Sequence, residues 1–250
     1  MRWMWLLLLM AACAPVAAPP QRVEVDPELL LQALARADAR AERLRGLAVV
    51  SIQSPEGDFR GRQALVAARP NRLRAEALSM FGPPLMVVVT DGERLQAWLP
   101  GQNRFYFGRA DGDGLNRILR LQATPRQLVA LVHHAPGDEG VNWRAYREPA
   151  GFRLLSEREG RTRSLLFDGQ LRLIGLEVVA EGAILMKAAW SRFDEQDGFP
   201  RDLVLEWPGT GRRLQLSFKT LELNPEIPDG LFQLSPPAGS SLYLIDGDNT

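Results

Sequence analysis

The one thiol of the chain lies at the end of an apolar run. Cys13 is the single cysteine among 250 residues, and it follows the run from Trp3 to Ala12, which begins after the basic residue Arg2. This run is far shorter than the roughly 20 apolar residues that a transmembrane helix needs. A basic start, a short apolar stretch and small residues at its end are the three parts of a bacterial secretory signal. The sequence therefore predicts an exported protein.

The cysteine itself is interpreted as a lipid attachment point. The stretch LLLLMAAC, residues 6–13, resembles a lipobox, at which bacteria acylate a cysteine and cleave the chain before it. The alternative is an ordinary secretory signal with an incidental cysteine. A free thiol in an exported protein is exposed to oxidation, which favours acylation of Cys13. We expect a lipoprotein signal peptide over residues 1–12 and a flexible tether, rich in Ala and Pro, over residues 13–25.

The other groups that could perform catalysis have simpler explanations. His133 and His134 are adjacent, so on a helix they point about 100° apart and cannot chelate one metal ion from one face. We expect them at a helix C-terminus, where cations are favoured. The stretch DGDGLN, residues 111–116, lacks the later acidic ligand of a calcium loop, and DEQDGFP, residues 194–200, is typical of a hairpin turn. We predict no catalytic residue, no metal ion, no cofactor and no enzymatic activity.

The composition favours one domain without a nucleic-acid partner. Basic and acidic residues number 30 each, so the formal net charge is zero. A balanced surface has no strong field that would attract nucleic acid. The hydrophobic content of 46% allows one sizeable core. We predict a single domain over residues 26–239 and a short C-terminal tail over residues 240–250.

The domain is expected to begin with a helix and to continue as a meander of strands. Asp26 is a candidate N-cap and Pro27 stands at the first helical position. Apolar residues then recur at helical spacing as far as Leu44, with Gly46 as the expected C-cap. Farther on, the stretch RLRAEAL, residues 72–78, alternates charged and apolar residues, as in a strand with one wet face and one covered face.

Two short helices are expected within residues 108–140, between two runs of strands. Thr124 and Gln127 stand at capping-box spacing at the start of the second helix. About eleven strands in all are too many for one flat sheet, so the sheet should curl. The predicted fold is mainly β (α+β): a strongly curved, unclosed antiparallel β-barrel with an N-terminal helix and a mid-chain helical lid.

The order of these parts resembles the LolA/LolB superfamily of periplasmic lipoprotein carriers. The likeness is carried by RPNRLRAEALSMFGPPLMVVVTDGERLQAWLPGQNRFYFG, residues 69–108, and by LNPEIPDGLFQLSPPAG, residues 223–239. It implies a half-barrel whose apolar interior accepts acyl chains beneath the lid. A lipidated Cys13 corresponds to the LolB type, which is anchored at the outer membrane and faces the periplasm. Ala14, after the cysteine, favours the outer membrane over retention at the inner membrane.

The resemblance also implies a set of functional residues. Phe81, the apolar residue before Gly82 at a hairpin tip, corresponds to the residue that engages the membrane in LolB; a role as a buried plug of the barrel end stays open. The expected acyl-chain contacts are Leu73, Val87, Leu95, Leu119, Leu128, Leu131 and Val132, of which the last three could instead be ordinary core. The expected partners are the membrane through the N-terminal lipid, lipoprotein acyl chains or other lipids, and a periplasmic carrier or envelope protein. The alternative function is a lipid-anchored sensor or assembly partner that uses the same fold without carrying lipid.

Overall fold

The computed structural model describes residues 23–80, 83–137 and 140–245. The helices are α1 (Pro27–Asp38), α2 (Gly112–Leu119) and α3 (Pro125–Val132). The strands are β1 (Val23–Val25), β2 (Arg43–Gln53), β3 (Phe59–Ala68), β4 (Arg72–Ala77), β5 (Met86–Thr90), β6 (Arg94–Leu99), β7 (Arg104–Arg109), β8 (Arg144–Glu148), β9 (Gly151–Arg158), β10 (Arg161–Phe167), β11 (Leu173–Ala180), β12 (Ala183–Phe193), β13 (Pro200–Trp207), β14 (Arg212–Leu223) and β15 (Ser241–Leu244).

All of these strands belong to one sheet. Its order is β1-β8-β9-β10-β11-β12-β13-β14-β2-β3-β4-β5-β6-β7-β15. The two meanders, β2 to β7 and β8 to β14, join where β14 pairs antiparallel with β2. The edges, β1 and β15, do not pair with each other, so the curved sheet stays open. The predicted fold class, mainly β with a strongly curved, unclosed sheet, an N-terminal helix and two mid-chain helices, is confirmed.

The sheet is wider than the sequence predicts. Within the described residues it has 15 strands rather than about eleven. Within the expected tether, β1 pairs antiparallel with β8. Within the expected tail, β15 pairs with β7, and this pair is parallel. Strands of three and four residues carry too few alternations to be recognised from sequence.

The N-terminal helix begins as predicted and ends earlier. The side chain of Asp26 accepts a hydrogen bond from the Glu28 backbone N–H at 3.0 Å, and Pro27 is the first helical residue. The helix buries one apolar face against the sheet: Leu30, Ala33, Leu34 and Ala37. The expectation of a helix as far as Leu44 is wrong, because α1 ends at Asp38 and β2 already begins at Arg43.

Gly46 is a strand residue and not a helix cap. It lies in β2 opposite Leu221, next to the place where the register between β2 and β14 shifts between Phe218 and Thr220. A Cβ atom at this position would collide with the carbonyl oxygen of Thr220. Glycine is therefore required here because two backbones approach each other closely.

Apolar residues fill both faces of the first meander. The main core lies on the inner face, beneath the helices, and includes residues of α1, α3 and most strands. A smaller cluster lies on the outer face: Ala68, Val87, Val89 and Phe232. The C-terminal segment covers this cluster and is fixed by paired hydrogen bonds, since Leu234 N–H donates to Gln96 Oε1 at 3.1 Å and Gln96 Nε2 donates to the Leu234 carbonyl at 2.7 Å.

Candidate functional site

An apolar cavity lies between the helical lid and the inner face of the first meander. Its volume is about 60 Å³. It is lined by Leu44, Val50, Ile52, Gln63, Leu65, Ala67, Leu73, Ala75, Ala77, Met86, Val88, Leu119, Leu121, Leu128, Val132, Leu214, Leu216 and Phe218. Gln63 is the one polar residue in this set. Such a lining can bind hydrocarbon and offers no titratable group for catalysis.

The two lid helices are defined by their caps. In α2, the side chain of Asp111 accepts from the Gly114 backbone N–H at 3.0 Å. In α3, the predicted capping box is present: Gln127 N–H donates to Thr124 Oγ1 at 3.2 Å, and Thr124 N–H donates to Gln127 Oε1 at 2.9 Å. These caps place the start of each helix, and so decide which of its side chains face the cavity.

The C-terminal end of α3 is anchored to the second meander. His134 follows the helix with a φ of 58°, and its Nε2 lies 2.8 Å from the carbonyl oxygen of Leu173 on β11. Trp190 on β12 donates from Nε1 to the carbonyl oxygen of Leu131 at 3.0 Å. Both contacts are buried. This end of the lid is therefore held by hydrogen bonds as well as by packing.

The histidine pair is neutral, which corrects the expectation of cations at a helix end. His133 and His134 are 0% and 2% exposed. Burial lowers the pKa of each from 6.5 to about 4, against the opposing effect of hydrogen bonds to the carbonyls of Val129 and Leu173. Removal from water disfavours the charged imidazolium more than one carbonyl contact favours it.

Four of the seven predicted acyl-chain residues line the cavity. Leu73 contributes from β4, Leu119 from the end of α2, and Leu128 and Val132 from one side of α3. The structure brings them together with a wall that the sequence analysis missed: Leu214, Leu216 and Phe218 on β14. Their alternation along the chain was visible, but only the pairing of β14 with β2 places them here.

The other three predicted residues lie elsewhere. Leu131 faces the opposite side of α3 and lines a separate cavity. Leu95 is fully buried in the core and does not line the apolar cavity; a Cβ atom on Gly114 would lie 3.1 Å from its Cδ2 atom. Val87 belongs to the cluster on the outer face, because the neighbouring Val88 points inward and successive strand residues face opposite sides.

Two predicted functional residues, Cys13 and Phe81, lie outside the described residues. The positions around Phe81 carry exposed apolar side chains, with Met80 80% exposed and Leu85 58% exposed. Within the described ranges, no helix is both long and apolar enough to cross a membrane. The same ranges contain no group of three metal-binding side chains.

The fold is shared with known proteins, although the sequence comparisons find no relative. No protein-family model matches the sequence, and no curated protein matches it significantly. A LolA-superfamily protein from Nitrosomonas europaea superimposes with a TM-score of 0.50 at 13% identity, over 84% of this chain and 98% of that one. A putative outer membrane lipoprotein-sorting protein domain from Vibrio parahaemolyticus gives a TM-score of 0.52 at 10% identity, over 82% and 94%. The chain therefore has a LolA/LolB-like fold.

Proposed function

We propose that this protein is a lipid-anchored carrier that holds acyl chains in the apolar cavity and assists the transfer or insertion of lipoproteins or other lipids. The observation that carries the proposal is the cavity lining, in which one residue of the whole set, Gln63, is polar. Each methylene group that moves from water into such a site contributes roughly 0.8 kcal/mol. The name of the structurally similar Vibrio protein, a putative outer membrane lipoprotein-sorting protein domain, supports the same class of cargo.

The cavity must widen to accept a chain. Its volume of about 60 Å³ is well below the ~300–1,000 Å³ of sites that enclose drug-sized ligands. The buried hydrogen bonds of His134 and Trp190 hold the C-terminal end of α3. We therefore expect opening to occur at α2 and at the N-terminal end of α3, with the C-terminal end as the fixed point.

The anchoring part of the proposal rests on the N-terminal sequence. An acylated Cys13 would attach the protein to the outer membrane, facing the periplasm, and residues 14–22 would connect it to β1. A single acyl chain binds a membrane reversibly, whereas several chains anchor it stably. A periplasmic carrier that delivers cargo is the expected partner in the envelope.

A cavity-filling variant tests acyl-chain binding. Ala75 lines the cavity from β4, and Ala75→Phe should lower the affinity for a dansylated undecanoic acid at least tenfold, because the added ring is larger than the free space. Ala189→Phe makes the same change at an exposed position of β12 and should bind the probe as wild type does.

Melting temperatures of both variants establish that they fold, and Ala75→Leu replaces Ala75→Phe if the larger side chain unfolds the protein. Binding that is unaffected by a folded Ala75 variant would show that the probe sits elsewhere. A wild-type protein that takes up no probe, and that carries no lipid in native mass spectrometry, would overturn the carrier function. That outcome would favour the alternative of a sensor or assembly partner.

A further inference from the structure

A second and larger cavity lies on the other side of α3. Its volume is about 540 Å³, within the range of small-molecule sites. Helix α3 contributes Gln127, Ala130 and Leu131, and the inner face of β9 to β12 forms the opposite wall. The lining is mixed: its arginines are Arg69, Arg126, Arg158, Arg161 and Arg163, and Glu159 is the single carboxylate among the described lining residues.

Along β10, the residues that face this cavity change from apolar in the core to basic at the rim. Along β10, Leu165, Arg163 and Arg161 are two residues apart, so they share one face. Leu165 is fully buried in the core. Arg163 lies opposite Val178 of β11, and Arg161 lies opposite Arg158 of β9. The inner face of this strand therefore runs from the core to a rim of guanidinium groups.

Three of these arginines stand where local rules disfavour a positive charge. Arg161 and Arg158 are directly paired across strands, and like charges in that arrangement repel. Arg126 lies in the first turn of α3, where a cation opposes the helix dipole. Positions that violate local preferences are expected at functional sites.

Three of the lining arginines already have partners within the protein. Arg158 pairs with Glu159 at 3.3 Å, and Arg69 pairs with Asp38 at 3.1 Å. Arg163 donates to the carbonyl oxygen of Pro136 at 2.5 Å and to that of Gly137 at 3.2 Å.

The two remaining arginines are available to a ligand. Arg126 and Arg161 are exposed at the cavity, and neither has an ion pair within the part of the chain that the structure describes. Two such guanidinium groups match the charge of one dianion.

We propose that this arginine-lined cavity binds a phosphate monoester group, the headgroup of an anionic amphiphile, through Arg126 and Arg161. Arginine binds phosphate oxygens through paired N–H donors, and a phosphate monoester carries close to two negative charges at neutral pH. Below the rim, Leu176, Val178 and Met186 offer an apolar floor for the adjoining methylene groups. The inference rests on the proposed carrier function and adds the class of headgroup.

Calorimetric titration of the full-length protein separates headgroup recognition from chain binding. The ligands are a lauroyl lysophosphatidic acid, a lysophosphatidylcholine with the same chain, and inorganic phosphate, each below its micelle concentration where it forms micelles. Wild type should bind the phosphatidic ligand at least tenfold more tightly than the choline ligand, and this preference should weaken as salt rises.

Matched variants assign the preference to the two arginines. Arg126→Gln and Arg161→Gln should each reduce affinity for the phosphatidic ligand about tenfold, which corresponds to ~1.4 kcal/mol, with a smaller effect on the choline ligand, whose phosphodiester carries one negative charge instead of nearly two. Arg60→Gln removes the same charge from an exposed position of β3 outside the cavity and should change neither. Neither cavity variant should lower the melting temperature, since both arginines stand in locally unfavourable positions.

Each outcome bears on one claim. Equal affinity for the two lysolipids, or a preference that survives both substitutions, would overturn the headgroup site and leave acyl-chain carriage intact. Failure of both lysolipids and of the dansylated probe to bind would instead overturn the carrier function. If inorganic phosphate competes with the phosphatidic ligand, and if this competition depends on Arg126 and Arg161, the free anion is a ligand in its own right. If the phosphatidic ligand binds and inorganic phosphate does not compete with it, the site needs the attached chain.

Discussion

Mild acid should destabilise this protein through two buried side chains. His133 and His134 are the only histidines in the sequence, and burial lowers the pKa of each to about 4 in the folded state, whereas 6.5 is the ordinary value. Between these values the unfolded chain binds more protons than the folded one, so stability falls as the pH falls through this window. At pH 5 the loss amounts to about 2 kcal/mol for each histidine. The pair would then remove about 4 kcal/mol from a stability that is typically 5–15 kcal/mol.

The hydrogen bonds show where the single ring hydrogen of each neutral histidine lies. The carbonyl contacts assign the ring hydrogen to Nδ1 in His133 and to Nε2 in His134, at 2.8 Å from the Val129 and Leu173 oxygens. The other ring nitrogen of each histidine is buried without a hydrogen-bond partner in the described part of the structure. A proton added there would place a positive charge in a buried site, and this loss of hydration lowers the pKa of both rings, although the Glu42 backbone and the Asp38 charge partly oppose it at His133.

Urea unfolding between pH 7.5 and pH 5, followed by tryptophan fluorescence, measures the effect. His133→Asn and His134→Gln each keep a donor near the position of the bonded ring nitrogen, and each should remove about half of the dependence on pH. The carboxylates with lowered pKa, such as Asp168 and Asp202, contribute stability that is lost only as the pH falls below about 4, outside this window. A stability that stays constant from pH 7.5 to pH 5, or an unchanged slope in the double variant, would refute the assignment.

Three further predictions concern the anchor, the hairpin tip and the close contact of two strands. Cys13→Ser should abolish incorporation of a clickable fatty acid without changing the melting temperature, because Cys13 precedes the first strand; equal labelling of the variant would exclude lipidation there. Phe81→Glu should reduce liposome transfer about tenfold or more, since burying such a ring in the membrane is worth roughly 1.5–3 kcal/mol. The melting temperature and probe uptake should be retained, whereas a large loss of stability would identify Phe81 as a buried plug. Gly46→Ala should destabilise the fold by about 1–3 kcal/mol through its clash with the Thr220 carbonyl, measured by urea unfolding beside Gly101→Ala, whose Cβ meets open space.

Features that depend on neighbouring residues were predictable from the sequence. The side chain of Asp26 caps α1, and Thr124 and Gln127 form the expected capping box, because cap chemistry involves residues two or three positions apart. The alternation in RLRAEAL also holds, with Leu73 and Ala77 buried and the charged residues between them partly exposed.

Features that depend on distant residues were not predictable. The run LMVVV has no alternation, and Val87 faces outward into a cluster closed by Phe232, 145 positions along the chain. The basic rim was missed for a similar reason, since the pairing of Arg158 with Arg161 follows from the register of β9 and β10. The histidine pair looked like solvated cations because burial is not visible in the two residues themselves.

Helix α3 separates the apolar cavity from the arginine-lined cavity. Leu128 and Val132 face the apolar cavity, and Ala130 and Leu131 face the arginine-lined one. An occupant that displaces this helix changes the shape of both spaces at once. This coupling is reciprocal by thermodynamic linkage. If a bound headgroup changes the affinity for a chain by some factor, the bound chain changes the affinity for the headgroup by the same factor. A ligand in the arginine-lined cavity would then change the affinity of the apolar cavity for a chain without any direct contact with that chain.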